Sequence, residues 1–134
     1  MEQKLNFSEM RTIAKAWWYN LSEEEQEDFD TSYDGIPPYE FEKHTFLQVF
    51  NGSVHMHHDN EFCDQNGHNT GTVYWLGGFG ESKYPDVEVA DTPRLWNEGI
   101  GWVPMELNKP IRFNPRKEHC VLAFGLNVFV TLWT

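Results

Sequence analysis

"PIRFNPRKEHCVLAFGLNVFVTLWT", residues 110–134, divides into three short apolar runs, PIRF, HCVLAF and NVFVTLW, separated by a Pro-Arg turn and by Gly125. The runs are rich in Val, Phe, Leu, Thr and Trp, side chains that suit a pleated surface, and the breaks between them are built from turn formers. The same grammar recurs toward the N-terminus in HTFLQVF (44–50), SVHMH (53–57), TGTVYWLGGF (70–79), DVEVA (86–90) and WVPMEL (102–107). Eight runs in about ninety residues is the count expected for an antiparallel double-sheet jelly roll, that is, a double-stranded β-helix.

The first forty residues read differently. FSEMRTIAKAWWYNL (7–21) places Met10, Ile13, Ala14, Trp17, Trp18 and Leu21 on one helical face, with Ser8 as the expected cap. SEEEQEDF (22–29) repeats the start signal, with Ser22 and Glu25 in capping-box spacing. Gly35, Pro37 and Pro38 then end helix formation. The expected class is α+β, mainly β: one domain over 1–134, with an acidic helical segment over 1–43 packed on one sheet of a β core over 44–134. A chain of 134 residues that is 40% apolar and 16% aromatic can fill one such core.

Charge and cysteine content narrow the function. Ten basic residues face twenty-one acidic ones, for a net charge of −11, which argues against direct nucleic-acid binding. Residues 1–42 alone hold eleven acidic and three basic side chains, a net of −8. No segment reads as a signal peptide or a membrane span, so the expected location is the cytoplasm. There Cys63 and Cys120 are expected as free thiols.

"SVHMHHDNEFCDQNGHN" (53–69) gathers four of the six histidines. On an extended strand His57 and Asp59 point to one side, so the pair can grip one ion. A His-x-Asp supplies two of the three ligands of a facial triad, and such a triad leaves open positions on a non-haem Fe(II). His119, sixty residues after Asp59, is the candidate third ligand. The alternatives are ordinary polar strand histidines, or a zinc site from Cys63, His68, Cys120 and His58, although no Cys-x-x-Cys spacing supports the zinc site. Phosphate-loop and serine-nucleophile motifs are absent.

With HHD, RFNPRKEH and the closing GLNVFVTLW in place, residues 44–134 resemble the small 2-oxoglutarate and iron(II)-dependent oxygenases. The resemblance implies that Fe(II) is held by His57, Asp59 and His119. It also implies that 2-oxoglutarate is decarboxylated as a C–H bond of a small-molecule or peptide substrate is hydroxylated. In that family an arginine on the last core strand holds the far carboxylate of the cosubstrate; here Asn127 stands at about that place, and Asn cannot form a bidentate ion pair. Asn127 and Arg112 are therefore the candidate cosubstrate residues, and Tyr74 and Trp75 candidates for the pocket wall, with plain strand packing as their other role.

A second reading has no catalysis: an acidic binding or inhibitor protein, or nucleic-acid mimic, that blocks a basic partner surface. Glu23, Glu24, Glu25, Glu27, Asp28, Asp30 and Asp34 fall within twelve residues, and Glu24, Glu27 and Asp28 are the candidate contacts.

Overall fold

Asn6 starts the first helix. In the computed structural model, which describes residues 6–29, 36–42, 45–79 and 92–134, its side chain accepts a hydrogen bond from the Glu9 amide at 3.0 Å and caps α1, Phe7–Tyr19. Ser8, the expected cap, lies inside the first turn, where its carbonyl accepts from the Thr12 hydroxyl. Met10, Ala14 and Trp18, spaced four apart, form the buried stripe of α1. The capping box is present: the Ser22 amide donates to the Glu25 carboxylate and the Glu25 amide to the Ser22 hydroxyl, each at 3.1 Å, at the start of α2, Glu23–Phe29.

Among the described residues nine strands and one further helix follow: β1 Ile36–Glu42, β2 Thr45–Asn51, β3 Val54–His57, α3 Asn60–Asn66, β4 Gly71–Phe79, β5 Arg94–Asn97, β6 Gly101–Pro104, β7 Pro110–Phe113, β8 His119–Leu122 and β9 Leu126–Trp133. They form a five-stranded sheet in the order β1-β2-β9-β4-β7 and a four-stranded sheet in the order β3-β8-β5-β6, with every pairing antiparallel. From β2 to β9 the chain changes sheet at every connection except the β5–β6 hairpin. This strand order is the double-stranded β-helix. Strand β1 is an addition to it, on the sheet edge where Pro37 and Pro38 can be accommodated. The β structure therefore begins at Ile36, ahead of the expected boundary at 43–44. The sequence runs did not include β5 or α3, and the expected DVEVA strand lies outside the described residues.

The five-stranded sheet is covered on both faces. Outside, Met10, Ala14 and Trp18 of α1 pack on Leu47, Val49, Leu76, Val128 and Val130. Inside, Phe50, Val73 and Phe129 meet Leu95 and Val121 of the opposing sheet, with Met105 and Phe113 closing the layer. Each buried side chain of this size stabilises by about 1.5–3 kcal/mol. Among the described residues no helix is long and apolar enough to cross a membrane.

Arg11 ties the helix to the sheet with a directional contact. It donates to the carbonyls of Leu76 at 2.9 Å and Gly78 at 2.7 Å, where the β4–β9 register slips between Trp75 and Gly77. Gly77 sits at φ +102°, and a Cβ there would collide with the Arg11 guanidinium. Gly77→Ala should lower unfolding free energy by about 1–3 kcal/mol. In an Arg11→Ala background the same change should cost less, because the collision is gone. A double-mutant cycle in urea measures the difference.

Candidate metal centre

Strand pairing brings the two histidines together. His57, the last residue of β3, stands directly opposite His119, the first of β8. Two residues on, Asp59 occupies the cap position of α3 but makes no side-chain cap hydrogen bond. An aspartate there ordinarily accepts from the first-turn amides. Here its carboxylate turns to the imidazoles instead: Oδ2 lies 3.0 Å from His119 Nε2 and Oδ1 lies 3.8 Å from His57 Nε2. One ligand atom from each of the three residues falls within 4.8 Å of the others. His119 is buried and Asp59 partly so, while the His57 side chain is 41% exposed and forms the open edge.

The hydrogen bonds define which nitrogens are free. His57 Nδ1 lies 2.6 Å from the His55 carbonyl and His119 Nδ1 lies 2.8 Å from the Lys117 carbonyl. A carbonyl only accepts, so each Nδ1 carries the hydrogen, and a neutral ring then presents the Nε2 lone pair to the centre. Asp59 Oδ2 is buried with no hydrogen-bond partner. Facing lone pairs 3.0 Å apart repel unless something positive lies between them. A proton on His119 would satisfy that pair alone, whereas a divalent cation satisfies both imidazoles and the carboxylate together. Ligand atoms about 2.0–2.2 Å from one ion stand roughly 3.0–3.5 Å apart; the His119–Asp59 separation of 3.0 Å lies in that range and the His57–Asp59 separation of 3.8 Å just above it. The residues fit a metal ion.

The support for this centre comes mainly from residues that sequence reasoning missed. Asn97, buried in β5 and paired with His119, accepts from the Asn114 amide at 2.7 Å and donates to the carbonyls of Asn114 and Glu118 at 3.1 Å each. It thereby fixes the turn that feeds His119. The same turn holds Asp59, whose amide donates to the Pro115 carbonyl at 2.8 Å. Arg116 reaches from the turn to Asn69, to the His68 carbonyl and to Asp64 on α3, and the Asp64 hydrogen bond raises its guanidinium above the ordinary value. Gly71 faces Phe113 across the β4–β7 pair, and a Cβ on it would lie 2.5 Å from the Phe113 ring. The missing side chain makes room for that ring, which packs 4.9 Å from His119. A lone Asn in a short apolar run and a Gly opening a strand were the available signals.

The other expected site residues lie elsewhere. A cavity of about 130 Å³ opens beside the triad, lined by Phe50, Val73, Phe113, Phe129 and Trp133 among others. Asn127 is on the inner face of β9 but does not line it: its carboxamide accepts from the Trp75 indole at 3.0 Å and donates to the carbonyls of Phe124 and Gly125. That bonding also accounts for Trp75. Arg112 is exposed, on the opposite side of β7 from Phe113. Tyr74 faces outward to α1, its ring 5.1 Å from Phe7, because the strand alternation sends Val73 to the cavity instead. The alternative zinc set of Cys63, His68, Cys120 and His58 is not assembled, since His57, Asp59 and His119 are the one such group among the described residues. Burial pushes both thiols above the ordinary value. Glu24 is exposed on α2, and the side chains of Glu27 and Asp28 lie outside the described residues.

No protein-family model and no curated protein matches the sequence. Among solved structures, protein NMB1881 from Neisseria meningitidis superposes at a TM-score of 0.52 and 8% identity, over 98% of this chain and 100% of that one. A cupin-2 domain containing protein from Shewanella frigidimarina is similar at 0.43 and 8% identity, over 78% of this chain and 87% of that one. An RmlC-like cupin from Desulfovibrio desulfuricans is similar at 0.43 and 9%, over 71% and 77%. At 8% identity the likeness to the Neisseria protein is one of fold alone. The chemistry of the site is read from this chain's own side chains.

Asn97→Ala should weaken metal binding about 10- to 100-fold, the usual consequence of losing a group that orients a ligand. It should also destabilise by about 1–3 kcal/mol, because the Asn114 amide and two carbonyls lose a buried partner. Calorimetric titration with metal, alongside urea unfolding, separates the two effects.

Proposed function

We propose that the protein is a mononuclear metalloenzyme of the non-haem Fe(II) oxygenase type, with His57, Asp59 and His119 as the protein ligands and a small organic substrate. The observation that carries this reading is the buried Asp59 oxygen, left without a hydrogen-bond partner against the Nε2 face of His119. When bound, an Fe(II) held by two histidines and one carboxylate supplies open coordination positions for substrate and O2 chemistry. The protein's own part is orientation and exclusion of water. The His55 and Lys117 carbonyls fix the two imidazoles, and Phe113 with Trp133, their rings 6.0 Å apart, walls the buried side.

The cosubstrate expectation has less support than the metal expectation. Neither Arg112 nor Asn127 lines the cavity, and no lysine or arginine is among the described residues that do. Among the described residues, then, no protein cation is placed to hold the far carboxylate of 2-oxoglutarate in an oxygenase-type centre here.

Anaerobic loading should give about one Fe(II) per chain. Free metal at a hundredfold excess over Kd should raise stability by about 2.7 kcal/mol, seen as a higher Tm. Asp59→Ala and His119→Ala should lose both the bound iron and the Tm increase. Equal metal content in wild type and in the two variants would refute the assignment.

A further inference from the structure

The cavity beside the triad specifies a ligand class by what its walls omit. Among the described residues thirteen side chains line it, and apart from His57, Asp59 and His119 the polar ones are Gln48 and Thr131, both uncharged. The other eight are Phe50, Phe113, Phe129, Trp133 and four aliphatic residues. The triad belongs to the four-stranded sheet and the α3 cap, whereas Gln48 on β2 and Thr131 on β9 belong to the facing sheet. The site thus has an ion-binding end and, across the gap, an apolar wall bearing one amide and one hydroxyl.

Charge counting then selects the occupant. A divalent ion with one carboxylate and two neutral imidazoles carries a net charge of +1. A ligand with a single anionic donor neutralises it. A dicarboxylate would place a second, unpaired charge against apolar walls, and burying an unpaired carboxylate costs several kcal/mol. Size sets a second limit: the cavity is about 130 Å³, and an apolar cavity of roughly 150 Å³ is known to accommodate benzene. The aromatic lining favours a flat or branched apolar body.

We infer that the centre takes a small monoanion, with one carboxylate or phenolate donor toward the ion and an uncharged aromatic or branched apolar body in the cavity, and that it discriminates against dicarboxylates. This inference rests on the metal-site reading above. An uncharged hydroxyl or carbonyl on the far side of the ligand would meet Gln48 or Thr131.

The test uses the full chain loaded with Co(II), whose visible absorption changes when a ligand enters the metal's coordination shell. Benzoate, 2-oxoglutarate and the neutral benzyl alcohol are titrated in turn. Benzoate should change the spectrum and bind at least tenfold more tightly than 2-oxoglutarate, and benzyl alcohol should leave the spectrum unchanged. Val73→Phe, which fills the cavity from the facing sheet, should keep one Co(II) per chain and weaken benzoate at least tenfold. If that variant does not fold, Val73→Ala takes its place and should admit the larger 2-naphthoate, which wild type rejects. Binding of 2-oxoglutarate as tight as benzoate, or no binding of benzoate, would overturn the ligand class while leaving the metal site standing. Failure of wild type to bind Co(II) would instead defeat the metal reading itself.

Discussion

The centre depends on a single strand register. Because side chains alternate along a strand, slipping β8 by one residue against β3 would send His119 to the solvent face and bring Cys120 inward. Val54 opposite Val121 opposes that slip, since both contribute to the interior between the sheets. Asn97 opposes it from the other side of β8, where its three hydrogen bonds lock the turn that delivers His119. Asp59 is tied to the same turn through the Pro115 carbonyl. Two ligands sixty residues apart are thus held by one short loop, and the third lies opposite in the ladder.

The outer helix contributes to this arrangement indirectly. With α1 covering one face of the five-stranded sheet, the opposite face is pressed onto the small sheet and fills with aromatic rings. Close approach needs absent side chains in two places. Gly77 admits the Arg11 guanidinium on the helix side, and Gly71 admits the Phe113 ring on the cavity side. The second matters more for chemistry, because that ring packs against His119 on one side and Trp133 on the other.

The fold was legible where the pattern was local. Apolar runs separated by turn formers marked seven of the nine strands or pointed to them, and Ser22 with Glu25 marked a helix start through a bond pair visible in the spacing. Strand β1 was missed because Pro37 and Pro38 read as a break, strand β5 because RLWN holds only two apolar residues between an arginine and an asparagine, and α3 because NEFCDQN carries only Phe62 and Cys63 as apolar residues, too few to display a helical stripe. The triad was legible because His-x-Asp and a strand-opening histidine are sequence features. Its surroundings were not. Tyr74 and Val73 are both apolar, and with α1 burying the outer face as well, alternation no longer reveals which one faces inward. Asn127 shares the inner face with Phe129 and Thr131, but its depth along the barrel, next to Trp75 and away from the triad, is a property of register that no single strand displays.

The acidity of the chain and the neutrality of its cavity act on different length scales. Glu23, Glu24 and Glu25 are exposed on α2, and a net charge of −11 gives the molecule a field that attracts divalent cations and slows the approach of anions. Salt confines that field to about 8 Å at physiological ionic strength, so it acts on encounter rather than on bound affinity. Inside the cavity the decisive quantity is the local balance between one carboxylate and one divalent ion. A dianion is disfavoured on both scales, by repulsion outside and by a lining that, among the described residues, holds no lysine or arginine. A monoanion is repelled about half as strongly and neutralises the centre once bound. Its affinity is then left to the contact between its apolar body and the Phe50, Phe113 and Phe129 wall, which is the part of the site that the two-sheet architecture builds.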